Sequence, residues 1–334
     1  MSTSAIDAAS RAELGAVVIG RNEGERLRRC LESLRPGVGH MVYVDSGSDD
    51  GSVEMSSSLG IAAVRLDPHI SFTAARARNE GLRRLLEICP TIAYVFFVDG
   101  DCEVVGGWLE VACDFLDRQA DCAAVCGRRR ERYPEKSVYN MLCDLEWDTP
   151  VGETKACGGD VLMRARVLQQ IGGYRADLIC GEEPELCVRL RAAGWRIWRL
   201  GVDMTLHDAA MYRFGQWWKR ALRGGYGFAL GVSLHGAPPE RHWVRESLRA
   251  WIWGACIPIG TLVAIAAAGW WGLFVFCIYP LQIVRLALRG TRSARENWWG
   301  AAALILGKFP EMLGQVKFAF DRLRQLQPRL IEYK

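Results

Sequence analysis

Between residues 14 and 126 the chain alternates two hydrophobic rhythms. Unbroken apolar runs at Ala16–Gly20, Met41–Val44, Ala93–Val98 and Ala123–Cys126 have the length and side-chain type of buried strands, and Ile61–Leu66, broken only by Arg65, reads as a further strand. Between them, apolar residues recur at helical spacing. Leu27, Leu31 and Leu34 do so in Glu25–Leu34, and further helices are predicted over Ser52–Leu59, about Thr73–Ile88 and Trp108–Leu116. This alternation predicts an α/β domain with a mostly parallel sheet and helices on both faces. Ligands of such sheets sit beyond the carboxyl ends of the strands. Three polar segments fall at such ends: Arg21-Asn22-Glu23, the turn Asp45–Gly51, and Asp99 with Asp101.

From Arg249 the rhythm is lost. Residues 250–284 are 35 consecutive positions without a charge, flanked by Arg241, Arg245 and Arg249 before and Arg285, Arg289, Arg292 and Arg295 after. A spanning helix needs about 20 apolar residues, so the run reads as a tight helical hairpin, spanning or re-entrant, with Ala268-Gly269 as its turn. Basic residues on both flanks put both ends on the cytoplasmic side. Tryptophan pairs 217/218, 251/253, 270/271 and 298/299 suit interfacial belts. Segment 206–249 reads as amphipathic helices on the membrane surface.

Charge sharpens this division. The net charge of the 334 residues is +4. Residues 1–205 carry 25 Lys/Arg against 31 Asp/Glu, a balance of −6; residues 206–334 carry 17 against 7, a balance of +10. Nine of the 13 tryptophans lie at or beyond Trp217. An acidic front and a basic, Trp-rich rear predict a soluble domain followed by a membrane-facing one. Hydrophobic residues at 50% exclude a disordered or collagen-like chain. The acidic front excludes nucleic-acid binding by the run Arg128–Arg130 with Arg132, which is read as either an anionic-acceptor contact or a solvated face. The opening MSTSAIDAASRAELG has no apolar core of a secretory signal, so the 12 cysteines, none in a CxxC pair, are expected reduced and mostly buried.

The candidate chemistry lies in the front half. Asp99 and Asp101 at a strand end form a hard-oxygen site for Mg²⁺ or Mn²⁺ shared with substrate phosphates. Glu182 and Glu183 stand at the N-terminus of a helix ending near Gly194, where the dipole favours ionised carboxylates. Gly158-Gly159-Asp160, expected to precede a short helix, brings backbone close to a ligand. His207 follows the strand Arg196–Leu200. No GxGxxG follows the first strand and no GxxxxGK[ST] occurs, which leaves a dinucleotide oxidoreductase and a P-loop NTPase unsupported.

The motifs Val17-Val-Ile-Gly-Arg-Asn-Glu23, Val44-Asp-Ser-Gly-Ser-Asp-Asp-Gly51, Ala77-Arg-Asn-Glu-Gly-Leu82, Phe97-Val-Asp-Gly-Asp101 and Gly181-Glu-Glu-Pro-Glu-Leu-Cys-Val-Arg-Leu190 occur in this order. Together they resemble the family 2 glycosyltransferases, inverting enzymes of the GT-A fold, over roughly residues 14–207, which implies a Rossmann-like mixed sheet flanked by helices. The resemblance implies that Arg21, Asn22, Glu23 and Asp45 line the nucleotide pocket and that Arg78 faces the nucleotide. It implies that Asp99 and Asp101 hold metal and diphosphate, with Asp101 the direct ligand, and that His207 is a third metal contact. Glu183 falls where the family has its catalytic base, with Glu182 its alternative. Gly159 and Asp160 are expected at the nucleotide sugar. Gln216–Arg220 departs in register from the element of processive members, which implies a non-processive enzyme.

The expected organisation is therefore a disordered leader over 1–13, a GT-A catalytic domain over 14–205, interfacial helices over 206–249, a membrane hairpin over 250–289 and basic membrane-proximal helices over 290–334. The implied activity is transfer from a nucleotide-diphosphate sugar, UDP- or GDP-linked, to a lipid or lipid-linked glycan, in cell-surface polysaccharide or glycolipid synthesis at the cytoplasmic face of the cell membrane. A polyprenyl-phosphate sugar synthase, whose acceptor phosphate needs no base, is the alternative. A non-catalytic nucleotide-sugar-binding protein is the alternative of another class. A haloacid-dehalogenase-like phosphatase fits poorly, because Glu103 stands where it needs Thr or Val and several strands precede Asp99.

Overall fold

The computed structural model describes residues 13–326; all but Glu13 of the leader expected over 1–13 lies outside the described residues. The chain divides into two units, one of residues 1–132 and 147–209, the other of 133–146 and 210–334. The expected front domain is thus interrupted, since the segment 133–146 belongs to the second unit.

In the first unit the described strands form one nine-stranded sheet. In chain order the elements are β1 (Leu14–Gly20), α1 (Glu25–Leu34), β2 (His40–Asp45), α2 (Ser52–Ser58), β3 (Ala62–Arg65), α3 (Ala74–Ile88), β4 (Tyr94–Asp99), β5 (Cys102–Val104), α4 (Trp108–Arg118) and β6 (Cys122–Glu131). After α5 (Val138–Trp147) come β7 (Gly152–Glu153), β8 (Val161–Arg164), α6 (Ala165–Ile171), α7 (Glu182–Ala192) and β9 (Arg196–His207). The order across the sheet is β3-β2-β1-β4-β8-β6-β9-β5, with β7 also on β9. The first four strands are parallel, β8 runs antiparallel to both its neighbours, and β6 and β9 pair in parallel. The sheet is therefore mixed, as the GT-A resemblance implies, and not mostly parallel, as the strand–helix alternation alone predicts.

The apolar runs become the core for the expected reason. Val17, Val18, Val42, Val44, Phe96 and Phe97 are fully buried between the helical layers. Helix α3 approaches the sheet closely because Gly81 has no side chain; a Cβ there would meet Val17 Cγ1 at 2.2 Å and Val44 Cγ2 at 2.9 Å. The register levels the strand ends. Gly20 pairs with Asp45 and Ile19 with Asp99, so the polar segments that follow β1, β2 and β4 start from one rim.

Three strands run further than their apolar cores suggest or replace a predicted helix. β6 continues through the arginines to Glu131, and β9 continues to His207. Gly158-Gly159-Asp160 leads into strand β8, not directly into a helix.

The second unit is helical: α8 (Phe214–His235), α9 (Val244–Trp251), α10 (Ile257–Ala268), α11 (Ile278–Arg289), α12 (Ala294–Leu306) and α13 (Lys308–Leu323), with a π turn Ile252–Cys256 and a 3₁₀ segment Gly269–Cys277. Helix α8 is a bundle helix rather than a lone amphipathic one. A Cβ on Gly225 would lie 1.9 Å from Glu311 O, and one on Gly314 would lie 2.1 Å from Leu222 O, so α8 and α13 touch backbone to backbone. Trp217, expected at an interface, is buried against Phe214 and Tyr139. The stretch Val244–Arg289 is long and apolar enough to cross a membrane, with a mean hydropathy of 2.1 in its most apolar window. It reverses at Gly269 (φ 63°), the turn read from the sequence.

Candidate active site

The rim is built from interlocked loops. Asn22, at φ 56°, donates its N–H to Ser48 Oγ and accepts from Asp49 N–H through Oδ1, both at 2.9 Å. Gly24 N–H donates to Asp50 Oδ2 at 2.9 Å. The loops after β1 and β2 are thus one hydrogen-bonded body. Asp45 is buried and anchors it, accepting from the Gly47 and Ser48 N–H groups and from the Tyr43 hydroxyl. A cleft of about 440 Å³ opens beside Asp45, with Ser48, Asp49, Arg65, Leu66 and Phe72 in its wall. Arg21 is exposed on the rim, and Glu23 pairs with Arg26 at 2.7 Å.

At the end of β4 the charges interleave. Arg78, buried on α3, spans Asp99 Oδ1 at 2.9 Å and Glu182 Oε1 at 2.7 Å. Arg129 reaches Asp99 Oδ2 at 3.3 Å and Asp160 Oδ1 at 2.6 Å. Asp160 also accepts from the Thr205 hydroxyl at 2.6 Å and the Asp99 N–H at 3.2 Å. Burial works against both guanidinium charges, but the neighbouring carboxylates outweigh it and hold both pKa values above the ordinary arginine range. Gly159 lies against this network; a Cβ there would sit 2.9 Å from Arg78 Nη2 and 3.0 Å from Asp99 Oδ2.

Two residues beyond Asp99, Asp101 Oδ2 lies 3.3 Å from His207 Nε2. The pairing of Cys102 with His207 across β5 and β9 creates this contact, and the register of β6 with β9 sets Glu131 opposite His207. Trp147 packs edge-on to the His207 ring at 4.8 Å and beneath the Arg129 guanidinium at 5.6 Å. The residues present fit a divalent cation. Two ligands of an octahedral ion at about 2.1 Å stand about 3 Å apart, close to the Asp101–His207 spacing. His207 Nδ1 has no hydrogen-bond partner among the described residues but lies 3.9 Å from Glu131 Oε2, which can orient the ring.

The adjacent glutamates face different ways. Glu182 joins the Arg78–Asp99 network. Glu183 is buried and turned to the loop before β8, accepting from Cys157 N–H at 2.6 Å and from the Cys187 thiol at 2.8 Å. Burial raises its pKa above the ordinary glutamate value, opposed by the Cys187 thiol and the Cys157 and Gly158 N–H groups. The sequence motifs therefore converge with Arg129, one member of the arginine run read as either an anionic-acceptor contact or a solvated face, and with Trp147, which the sequence reading did not single out. Arg128 and Arg130 pair elsewhere, with Asp148 and Asp203.

Residues 16–155 match the Glycosyl transferase family 2 model. This is a family 2 glycosyltransferase domain. The transferase is 23% identical over 267 residues to the succinoglycan biosynthesis protein ExoA of Rhizobium meliloti (strain 1021), covering 75% of this chain and 79% of that protein. It is 28% identical over 238 residues to the pre-mycofactocin glycosyltransferase of Mycobacterium tuberculosis, covering 67% of this chain but 48% of that relative. Its GT-A fold is similar to that of the mannosyltransferase PcManGT from Pyrobaculum calidifontis, solved with GDP-Man and Mn²⁺. That match has a TM-score of 0.57 at 20% identity and covers 93% of this chain and 88% of the other.

Proposed function

We propose that the transferase moves a sugar from a nucleoside-diphosphate sugar to a hydroxyl of a lipid or lipid-linked glycan, with inversion, at the cytoplasmic face of the cell membrane. The observation that carries this reading is the junction of two sites on one rim. The cleft beside Asp45 adjoins the loop clasp, and the Arg78–Asp99–Arg129 network adjoins the Asp101–His207 pair. The first suits a nucleoside, with Phe72 offering an aromatic face to a base and Asp45 an acceptor at the cleft wall. The second suits a diphosphate.

Asp101 and His207 would hold the cation, which when bound supplies positive charge to the departing diphosphate. Arg78 and Arg129 add fixed cationic charge beside it without reorganisation. The proposal gives the two glutamates separate tasks. Glu183 fixes the Cys157–Gly159 loop through its buried acceptor bonds. Glu182, on the network side, takes the proton from the acceptor hydroxyl. The acceptor oxygen then bonds to the anomeric carbon on the face opposite the breaking C–O bond to the diphosphate, which inverts the configuration. The basic, apolar rear half supports an acceptor carried in a bilayer.

The test is a thermal-shift panel of UDP- and GDP-sugars with and without Mn²⁺, followed by turnover of the shifting donor on lipid acceptors. A metal-dependent shift for one donor class is expected, with Glu182→Gln keeping that shift and losing turnover. No shift for any donor would overturn the proposal. Full turnover by Glu182→Gln would favour the polyprenyl-phosphate acceptor, which needs no base.

A further inference from the structure

The second unit carries an apolar hairpin whose dimensions select between the two ways it can enter a bilayer. The outgoing arm is α9, the π turn and α10; the returning arm is the 3₁₀ segment and α11. The arms touch near the tip, where a Cβ on Gly272 would lie 2.2 Å from Ile265 N, and again near the base, where the Tyr279 hydroxyl donates to Trp253 O. From Trp251 to the turn at Ala268 the outgoing arm rises about 26 Å at 1.5 Å per residue. The returning arm has fewer charge-free residues, but its 3₁₀ stretch rises about 2 Å per residue, so Gly269 to Val284 also covers about 28 Å. Both arms match a hydrocarbon core of about 30 Å. A dip to the midplane would need only about 15 Å of each.

Three further observations agree. Trp270 and Trp271 at the tip are 83% and 74% exposed, and Trp251 and Trp253 stand about one core thickness away at the base. Leu262, Val263 and Phe274 between these pairs are exposed, and no charged residue lies anywhere between the pairs. The turn at Gly269 also ends one helix and begins another, and helix ends leave backbone carbonyls and N–H groups without intrahelical partners. At the bilayer midplane such groups have no water to pair with, whereas water satisfies them at an interface.

We propose that this hairpin crosses the whole bilayer, with the Ala268–Trp271 turn at the far interface and Arg245, Arg249, Arg285 and Arg289 at the near one, among anionic headgroups. The proposal rests on the membrane-bound reading above and commits it to a spanning topology. The occupant of the apolar surface is the lipid bilayer itself, chosen by charge complementarity: a ring of arginines at the base around an uncharged shaft.

The experiment uses the full chain with the exposed Cys256 and Cys277 replaced by Ser, as a background against which single thiols are read. Ala268→Cys probes the tip and Thr291→Cys the base. Intact cells and inverted membrane vesicles are treated with a membrane-impermeant maleimide. The A268C chain should label from the outside of cells and not in inverted vesicles, and the T291C chain should do the reverse. Both labelling from the cytoplasmic side, or A268C resisting label from either side while carbonate-washed membranes retain the protein, would overturn the spanning topology. Release of the protein by carbonate would instead overturn the membrane-bound reading on which it rests.

Discussion

Replacing Arg129 by Met is expected to be among the most damaging single changes in the first unit, and the structure sets its size. The Asp160 carboxylate is wholly inaccessible, and Arg129 at 2.6 Å is its cationic partner. Removing one member of a buried ion pair costs about 3–5 kcal/mol, because the remaining charge has lost both water and partner. Asp160 keeps the Thr205 hydroxyl and the Asp99 N–H, which places the expectation at the lower end, about 3 kcal/mol. At roughly 2–4 °C per kcal/mol for a domain of this size, Tm should fall by about 6–12 °C. The Asp160→Asn change in the same background removes the stranded charge. The double variant should therefore be more stable than the sum of the singles predicts, with a coupling of about 1–2 kcal/mol. Urea and thermal unfolding of the parent, both singles and the double complete the cycle. An Arg129→Met cost below about 0.5 kcal/mol, or strictly additive singles, would refute the account.

Three other outcomes follow from particular contacts. Gly81→Val would force side-chain atoms into Val17 and Val44 and should cost upwards of about 1–3 kcal/mol by chemical denaturation. Glu183 is a carboxyl whose folded pKa is raised, so its contribution to stability is present below the unfolded value of about 4.5 and is lost as pH rises through the folded value. The Tm difference between Glu183→Gln and the parent should accordingly shift in favour of the variant from pH 4 to pH 7; a pH-independent difference would contradict this. His207→Phe should weaken Mn²⁺ binding, read by calorimetry or by electron paramagnetic resonance of free Mn²⁺, while leaving far-ultraviolet circular dichroism unchanged.

The apolar runs of β1, β2 and β4 and the polar residues at their ends were legible because both signals are local. The helices α1 and α3 were legible from their periodicity. Arg129 was not. The apolar run stops at Cys126, and Gly127 with three arginines reads equally as a solvated face or an anionic-acceptor contact, with nothing to say which arginine turns inward. These residues continue as strand because β9 pairs with them as far as His207, with register shifts at Cys126/Arg128 and Arg128/Arg129 that turn one arginine inward. That partner is some 70 residues away; Val202, Met204 and Leu206 alternate with polar residues on the β9 side, but Gly127–Arg130 on the β6 side carry no apolar signal. The two glutamates pose a related problem. Adjacent helical residues point about 100° apart, but which one meets Arg78 and which meets Cys157 depends on how α7 sits against segments far away in sequence. The hairpin turn was legible because Gly269 interrupts an otherwise uniform apolar run.

The clasp between the loops after β1 and β2 bears on how such an enzyme can be retailored. Asn22, Gly24, Ser48, Asp49 and Asp50 hold each other by reciprocal bonds, so neither loop has a conformation of its own to vary. A library that diversifies one loop alone will mostly sample broken partners. Exchanging both loops as a matched cassette, with β1 and β2 left untouched, is the smallest graft that carries a new donor preference intact.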